Sequence, residues 1–335
     1  MGAADTYGLT SKIQAEFALS TTVRNDHRYH PSAWTGSVQH LRQEQQLRQR
    51  ADGLQSGRPS NTEISTLPAI LILHGSPGGI DSAQWHARAI STFASPSAHP
   101  FGLFALSRPG YLSSGPVCAS FAEEADVIIK TLDALGRTAP VAVLAISGSG
   151  PLALTLAEKF PDRINAVLML DAITKRVPWS HTTLAALAMF GTELPSNTFA
   201  YRAATSGNVR DNVQKLLGEE ALKEVETDKT VRHFFRDYSA CYALGSVRRP
   251  GFFSDMNRIA NMDDEPHWTG VKAPILCMHG LKDDLVSIAH PEHLLSTAST
   301  QDNAKRLMRF PDEKHILPLK QTSRAITKFL EETVW

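Results

Sequence analysis

The chain has 335 residues, 42% hydrophobic and 20% charged, with 34 basic against 34 acidic side chains. This is the composition of a globular protein with a sizeable core and room for an inserted unit, and it lacks the basic excess of a nucleic-acid binder. Cys118, Cys241 and Cys277 are far apart, with neither metal-ligand spacing nor a disulfide framework, which suits a reducing, cytoplasmic setting. No apolar run approaches the ~18 residues of a membrane span. The first residues lack a basic-then-apolar leader; they match the loose myristoylation pattern at Gly2, as short sequences often do by chance.

Residues 1–66 form an N-terminal extension with possible edge strands. Residues 16–23 could be a strand, and 39–55 read as a polar, Gln- and Arg-rich helix or connection without an ordered apolar face. From Leu67 the pattern becomes regular. Strands are expected at 69–73, 101–106, 141–146 and 164–170, alternating with helices at 83–93, 121–135 and 151–160. Residues 172–270 break the alternation and read as mainly helical, at 182–190, 209–217 and 221–244. The alternation resumes with a strand at 273–278, a helix at 291–299, a strand at 305–310 and a closing helix at 323–332. The pattern predicts an α/β fold: a mostly parallel central sheet with helices on both faces, built from 67–171 and 271–335, with a helical cap at 172–270.

Within this frame Val141–Ile146 is a buried strand that runs directly into Ser147-Gly148-Ser149-Gly150-Pro151 and then an apolar helix. Strand, tight turn and helix with a serine in the turn is the setting of a nucleophile elbow. The flanking positions must be small, and around Ser147 they are Ala145 and Ser149, so both glycines of G-x-S-x-G are replaced by small residues. Ser149 is the rival nucleophile, although Pro151 would then sit where strand and helix pack closely. A phosphate loop does not fit, since neither G-x-G-x-x-G nor G-x-x-x-x-G-K-[ST] is present.

Three further segments bear on Ser147. His74-Gly75-Ser76-Pro77-Gly78-Gly79 follows the first regular strand, and a glycine-rich turn there can offer a backbone N–H. With the N–H of Gly148, the N–H of Ser76 would form an oxyanion hole. Asp283 follows the strand at 273–278 and is the candidate acid; Asp284 beside it and Asp171 after the preceding strand are alternatives. His315 follows the last strand, and imidazole suits proton transfer near neutral pH. The order Ser147, Asp283, His315 selects these three among many loop residues.

On these residues, together with Arg108-Pro109-Gly110-Tyr111 and His279-Gly280-x-x-Asp283-x-x-Val286, the chain from about Leu67 onward resembles the α/β-hydrolase superfamily. The resemblance implies a capped sheet with Ser147 as nucleophile, His315 as base, Asp283 as its acid and no metal or organic cofactor. Ala145 in place of the first elbow glycine, and Lys314 where a glycine often precedes the histidine, depart from the pattern. Epoxide-hydrolase-like members share the HGxPG segment but use an aspartate where this chain has Ser147. The expected function is hydrolysis of an ester or related acyl bond in a small-molecule substrate. Alternatives are proline iminopeptidase-like activity, with Glu193, Glu219 or Glu220 holding the substrate amine, C–C bond hydrolysis, or ligand binding with little turnover. Leu184, Leu187 and Phe190 are candidate substrate-binding residues for an apolar group, although the same pattern suits the cap's own core.

Overall fold

The computed structural model describes residues 21–22, 67–95, 100–112, 114–205 and 214–335. The possible modification of Gly2, the polar segment at 39–55 and most of the helix expected at 209–217 lie outside the described residues. The strands are β1 (Thr21–Thr22), β2 (Ala69–Leu73), β3 (Gly102–Leu106), β4 (Val141–Ile146), β5 (Ile164–Leu170), β6 (Ile275–Gly280) and β7 (Lys305–Phe310). They form one sheet in the order β1-β3-β2-β4-β5-β6-β7, parallel from β3 to β7, with β1 antiparallel at the edge. The helices framing the sheet are α1 (Ile80–Phe93), α2 (Phe121–Ala134) and α3 (Gly150–Lys159), then α9 (Ala289–Thr297) and α10 (Leu319–Thr333). Between β5 and β6 the chain forms α4 (His181–Phe190), α5 (Glu193–Thr205), α6 (Glu219–Thr227), α7 (Lys229–Ala240) and α8 (Gly245–Ala260).

The continuous apolar runs of the central strands reflect burial on both faces. Val141, Val143 and Ala145 of β4 pack with α2, α3 and α9, whereas Ala142, Leu144 and Ile146 pack with α1 and α10. The connection leaving β2 passes through α1 on one face, and the one leaving β4 passes through α3 on the other. The C-terminal ends of these neighbours therefore open a crevice between diverging loops, where open α/β sheets place ligands.

Several elements differ from the sequence pattern. Strand β6 begins after Pro274, which cannot donate to the ladder, and runs on through Gly280, in register with Phe310 of β7. The single helix expected over 221–244 is two, because the Asp228 carboxylate accepts the N–H groups of Thr230 (2.7 Å) and Val231 (3.2 Å) and starts α7 afresh. Helix α8 contains Pro250, which interrupts its backbone ladder. There the Gly251 N–H donates to Gly110 O (2.8 Å), and Val247 O accepts from the Leu112 N–H (2.8 Å). A Cβ on Gly251 would lie 2.3 Å from the Tyr111 ring, so only glycine lets α8 dock this closely on the Arg108–Tyr111 turn. Among the described residues, no helix is long and apolar enough to cross a membrane.

Candidate active site

Strand β4 delivers Ser147 at its C-terminal end with φ +49°, a left-handed conformation that lifts the side chain out of the sheet. The Ile173 N–H donates to Ser147 O (3.0 Å) and helps hold the turn. Ser149, the rival, is fully buried, and its hydroxyl accepts from the Ile146 N–H (2.9 Å) and lies 2.9 Å from the carbonyls of Leu73 and Ile146. Its oxygen laces β2 to the elbow and faces no open space.

Loops after β6 and β7 bring two more side chains to Ser147. His315 Nε2 lies 3.1 Å from Ser147 Oγ, and His315 Nδ1 lies 2.7 Å from Asp283 Oδ2. With Nδ1–H donating to the carboxylate, Nε2 is left as an acceptor for the serine proton. The Asp283 side chain is wholly enclosed, and its other oxygen accepts from the N–H groups of Leu285 (2.8 Å) and Val286 (3.1 Å). Burial alone would raise Asp283; the bonds to His315 and these N–H groups outweigh it and hold the carboxyl below the usual range. The histidine loop is tied to the acid loop by Leu281 N–H to Phe310 O (2.9 Å) and Lys282 N–H to Glu313 O (2.8 Å).

The two alternative acids are placed differently. Asp284 is exposed at the mouth of the cavity described below. Asp171 is buried at the end of β5, where its Oδ1 accepts from the Gly280 N–H (2.9 Å). Burial pushes its carboxyl well above the ordinary range, the opposite direction to Asp283. Asp171, His279 and Asp283 bring ligand-type atoms within 4.8 Å of one another. Hydrogen bonds already occupy most of them: His279 Nε2–H donates to Val286 O (2.8 Å), and both Asp283 oxygens are taken.

The loop after β2 crosses the front of the elbow. A Cβ on Gly148 would lie 2.7 Å from Ser76 Oγ and 3.5 Å from Ser76 N, so the two candidate oxyanion donors belong to touching residues. The Ser76 N–H has no acceptor among the described residues, and Gly148 stands in a first helical turn, where N–H groups lack intrahelical partners. The Ser76 hydroxyl donates to the Asp255 carboxylate of α8, and Tyr111 Oη lies 2.5 Å from the same carboxylate and 3.0 Å from Ser76 Oγ. Arg108 spans Asp255 (2.7 and 2.8 Å) and Glu124 (2.8 Å), and Arg258 reaches the same two acids (2.6 and 2.7 Å). Burial would raise the Asp255 carboxyl; the two guanidinium groups outweigh it and hold it below the usual range. Thus a buried ionic cluster fixes helix α8 to the loop carrying Ser76. Of its members, only Arg108 and Tyr111 stood in a recognisable motif. Asp255 had no sequence signal, since it lies 179 residues from Ser76.

Residues 68–321 match the family model described as the alpha/beta hydrolase fold. The chain belongs to the α/β-hydrolase family. It is 24% identical over 205 residues to an uncharacterized hydrolase, YcgS, of Bacillus subtilis (strain 168), a match covering 58% of this chain and 69% of that one. Among solved structures it is similar to an alpha/beta hydrolase fold protein from Nakamurella multipartita (TM-score 0.67, 23% identity, 80% of this chain and 92% of that one). It is also similar to the enol-lactonase from Burkholderia xenovorans LB400 (TM-score 0.53, 16% identity, 79% and 92%). A thermophilic esterase from Thermogutta terrifontis shows the same degree of likeness (TM-score 0.53, 18% identity, 80% and 91%).

In this α/β hydrolase a cavity of ≈ 500 Å³ lies over the elbow and is lined by both Ser147 and His315. Of the three candidate substrate-binding residues, Phe190 is on its wall, and Leu184 and Leu187 are not. Helix α4 turns Thr183, Ala186 and Phe190 to the cavity, while Leu184 is 53% exposed to solvent. The helix carries apolar residues nearly all round, so periodicity does not choose the face, and the cavity-lining Thr183 and Ala186 each lie one position before Leu184 and Leu187. Glu193, Glu219 and Glu220 do not line the cavity either: all three are exposed, and Glu193 is engaged by Ser246 and Asn197. An amine-holding acid at those positions is therefore absent from this wall.

Proposed function

We propose that the protein is a serine hydrolase that cleaves an ester or related acyl bond in a small, mainly apolar substrate. The observation that carries this reading is the hydrogen-bonded line Asp283–His315–Ser147, with its serine end open to the cavity. Ser147 Oγ attacks the substrate carbonyl while His315 Nε2 takes its proton, and the carbonyl oxygen becomes an oxyanion between the N–H groups of Ser76 and Gly148. Collapse of this intermediate breaks the acyl–oxygen bond, and His315 returns the proton to the departing alcohol. Water then repeats the sequence on the acyl-enzyme, releasing the acid and restoring Ser147. Asp283 holds the imidazole in the required tautomer and offsets its transient positive charge. The enol-lactonase and the esterase among the similar folds are named for cleavages of this same bond type.

The test is fluorophosphonate labelling followed by parallel assay of p-nitrophenyl esters and prolyl amides. Labelling at Ser147 with ester turnover is the expected result. Rapid amide turnover with little ester turnover would overturn the choice of bond, and absence of labelling would overturn the nucleophile.

A further inference from the structure

Helix α1 presents Ser82, Trp85, His86, Ala89 and Ile90 to the cavity, the i, i+3, i+4, i+7, i+8 stripe by which an amphipathic helix buries its apolar face. Helix α10 presents Leu319, Thr322, Ser323 and Ile326 in the same spacing. Leu144 and Ile146 line the cavity from the β4 face that packs with both helices. Leu144 is three residues back from Ser147, so the cavity reaches roughly 10 Å down the strand at ~3.3 Å per residue.

Four positions in these two stripes are polar. Thr322 spends its hydroxyl on Pro318 O (2.8 Å). His86 is only 8% exposed and neither ring nitrogen is hydrogen-bonded among the described residues; Nε2 is enclosed, so Nδ1 is the ring nitrogen left open to the cavity. The hydroxyls of Ser82 and Ser323, in residues 6% and 2% exposed, also make no hydrogen bond among the described residues. An unpaired polar group in a buried wall costs stability, and a stripe built for packing alone would carry aliphatic side chains here. Aromatic neighbours fix the imidazole, with the Trp85 ring 4.8 Å away at 90° and the Tyr238 ring 6.4 Å away at 79°.

We propose that this end of the cavity is a recognition subsite for an uncharged oxygen, a hydroxyl or a ketone, carried on the apolar arm of the substrate, with His86 as the principal residue that reads it. Burial lowers the His86 pKa from 6.5 to about 3, and no charged group contributes, so the ring is neutral at ordinary pH, with one N–H donor and one lone pair. Lys215 is on the cavity lining, but no charged group acts on His86, so the wall at His86 disfavours a carboxylate and accepts an uncharged oxygen, which the two serine hydroxyls can also bond. The substrate class is then an ester with an oxo- or hydroxy-substituted apolar arm. This deepens the hydrolase reading and rests on it only for the statement that the ligand is a substrate.

The experiment measures binding without turnover. In Ser147→Ala protein, calorimetry compares an alkyl amide series bearing one ketone, moved a carbon at a time along the acyl or the amine arm, with the all-methylene parents and ω-carboxylate analogues. For at least one ketone position, the ketone-to-methylene affinity ratio is expected to fall about tenfold in His86→Phe, the loss of about one good hydrogen bond. His86→Gln, which keeps a donor and an acceptor, restores part of that ratio, and Ser323→Ala lowers it less. His86→Phe retains the ring contacts and removes an unpaired group, so its melting temperature is expected to equal or exceed the parent's. An unchanged ratio across the whole series in both His86→Phe and Ser323→Ala overturns the subsite, and so does tighter binding of the carboxylates. Fluorophosphonate labelling of the unsubstituted protein separates the two readings: its failure sinks the nucleophile and leaves the affinity ratio to decide the subsite.

Discussion

The two ends of the cavity treat polar groups in opposite ways. At the strand ends the side chains around Ser147 are spoken for: both oxygens of Asp283, both ring nitrogens of His315 and the Ser76 hydroxyl have partners. At the wall between α1 and α10, His86, Ser82 and Ser323 have none among the described residues. Paired groups lock one another's rotamers and protonation states, as the proposed chemistry at Ser147 requires. Unpaired ones keep their hydrogen-bonding capacity for a ligand, at a cost in stability. On the reading proposed above, the contrast separates a reacting end from a reading end, and substitutions at the two should differ in size and kind.

The largest effect belongs to the reacting end. Ser147→Ala is expected to lower ester turnover by about 10⁴–10⁶-fold while leaving thermal unfolding unchanged, since such groups act as a unit. Turnover near the parent rate would place the chemistry elsewhere. Next comes the acid. Asp283→Asn should cost roughly 10⁴-fold by spoiling the imidazole tautomer. Asp171→Asn changes a carboxyl whose hydrogen bond goes to the Gly280 N–H and not to His315, and Asp284→Asn changes an exposed group, so both should stay close to the parent rate. Collapse of Asp171→Asn with survival of Asp283→Asn in the same assay would reassign the acid.

The Asp255 cluster gives an intermediate effect of another kind. Asp255→Ala leaves Arg108 and Arg258 without that carboxylate in a buried setting and is expected to destabilise the fold by about 3–5 kcal/mol. It also frees Ser76, so a kcat loss greater than any KM change should accompany it in the fraction that stays folded. Denaturant unfolding and steady-state kinetics on one preparation check both.

The smallest effect tests the reading end through pH. His74 and His86 are lowered from 6.5 to about 3, and His290 to about 4, chiefly by burial. A base depressed in the fold stays neutral there while the unfolded chain takes up a proton, so its contribution is full above about pH 6.5 and is lost as pH falls toward the folded value. Stability should therefore drop between pH 6.5 and 4, by about 1.4 kcal/mol per pH unit for each such histidine. His86→Phe should flatten the slope by one histidine's share. An unaltered slope would show that His86 is not buried in neutral form.

Much of this protein is legible from residue order alone, for a local reason. Strands buried on both faces must be continuously apolar, so Ala69–Leu73 and Val141–Ile146 can be bounded without coordinates. An elbow needs small residues within a few positions, which marks Ser147, and chain order then picks out Asp283 and His315 as its companions. Three-dimensional packing decided the rest. Whether Leu184 or Phe190 meets the cavity depends on how α4 is rotated, and an apolar helix records no rotation in its sequence. That the Asp171 carboxyl is pushed up while that of Asp283 is held down follows from burial at the one and the hydrogen bond to an imidazole at the other, a contact made across 32 residues. Asp255 under Ser76 is a contact between distant segments, and His86 and Ser323 come from different helices to line one cavity. Local order constrains φ, ψ and which side of a strand is buried; it does not specify which buried polar groups will find partners, because that is set only when the elements pack.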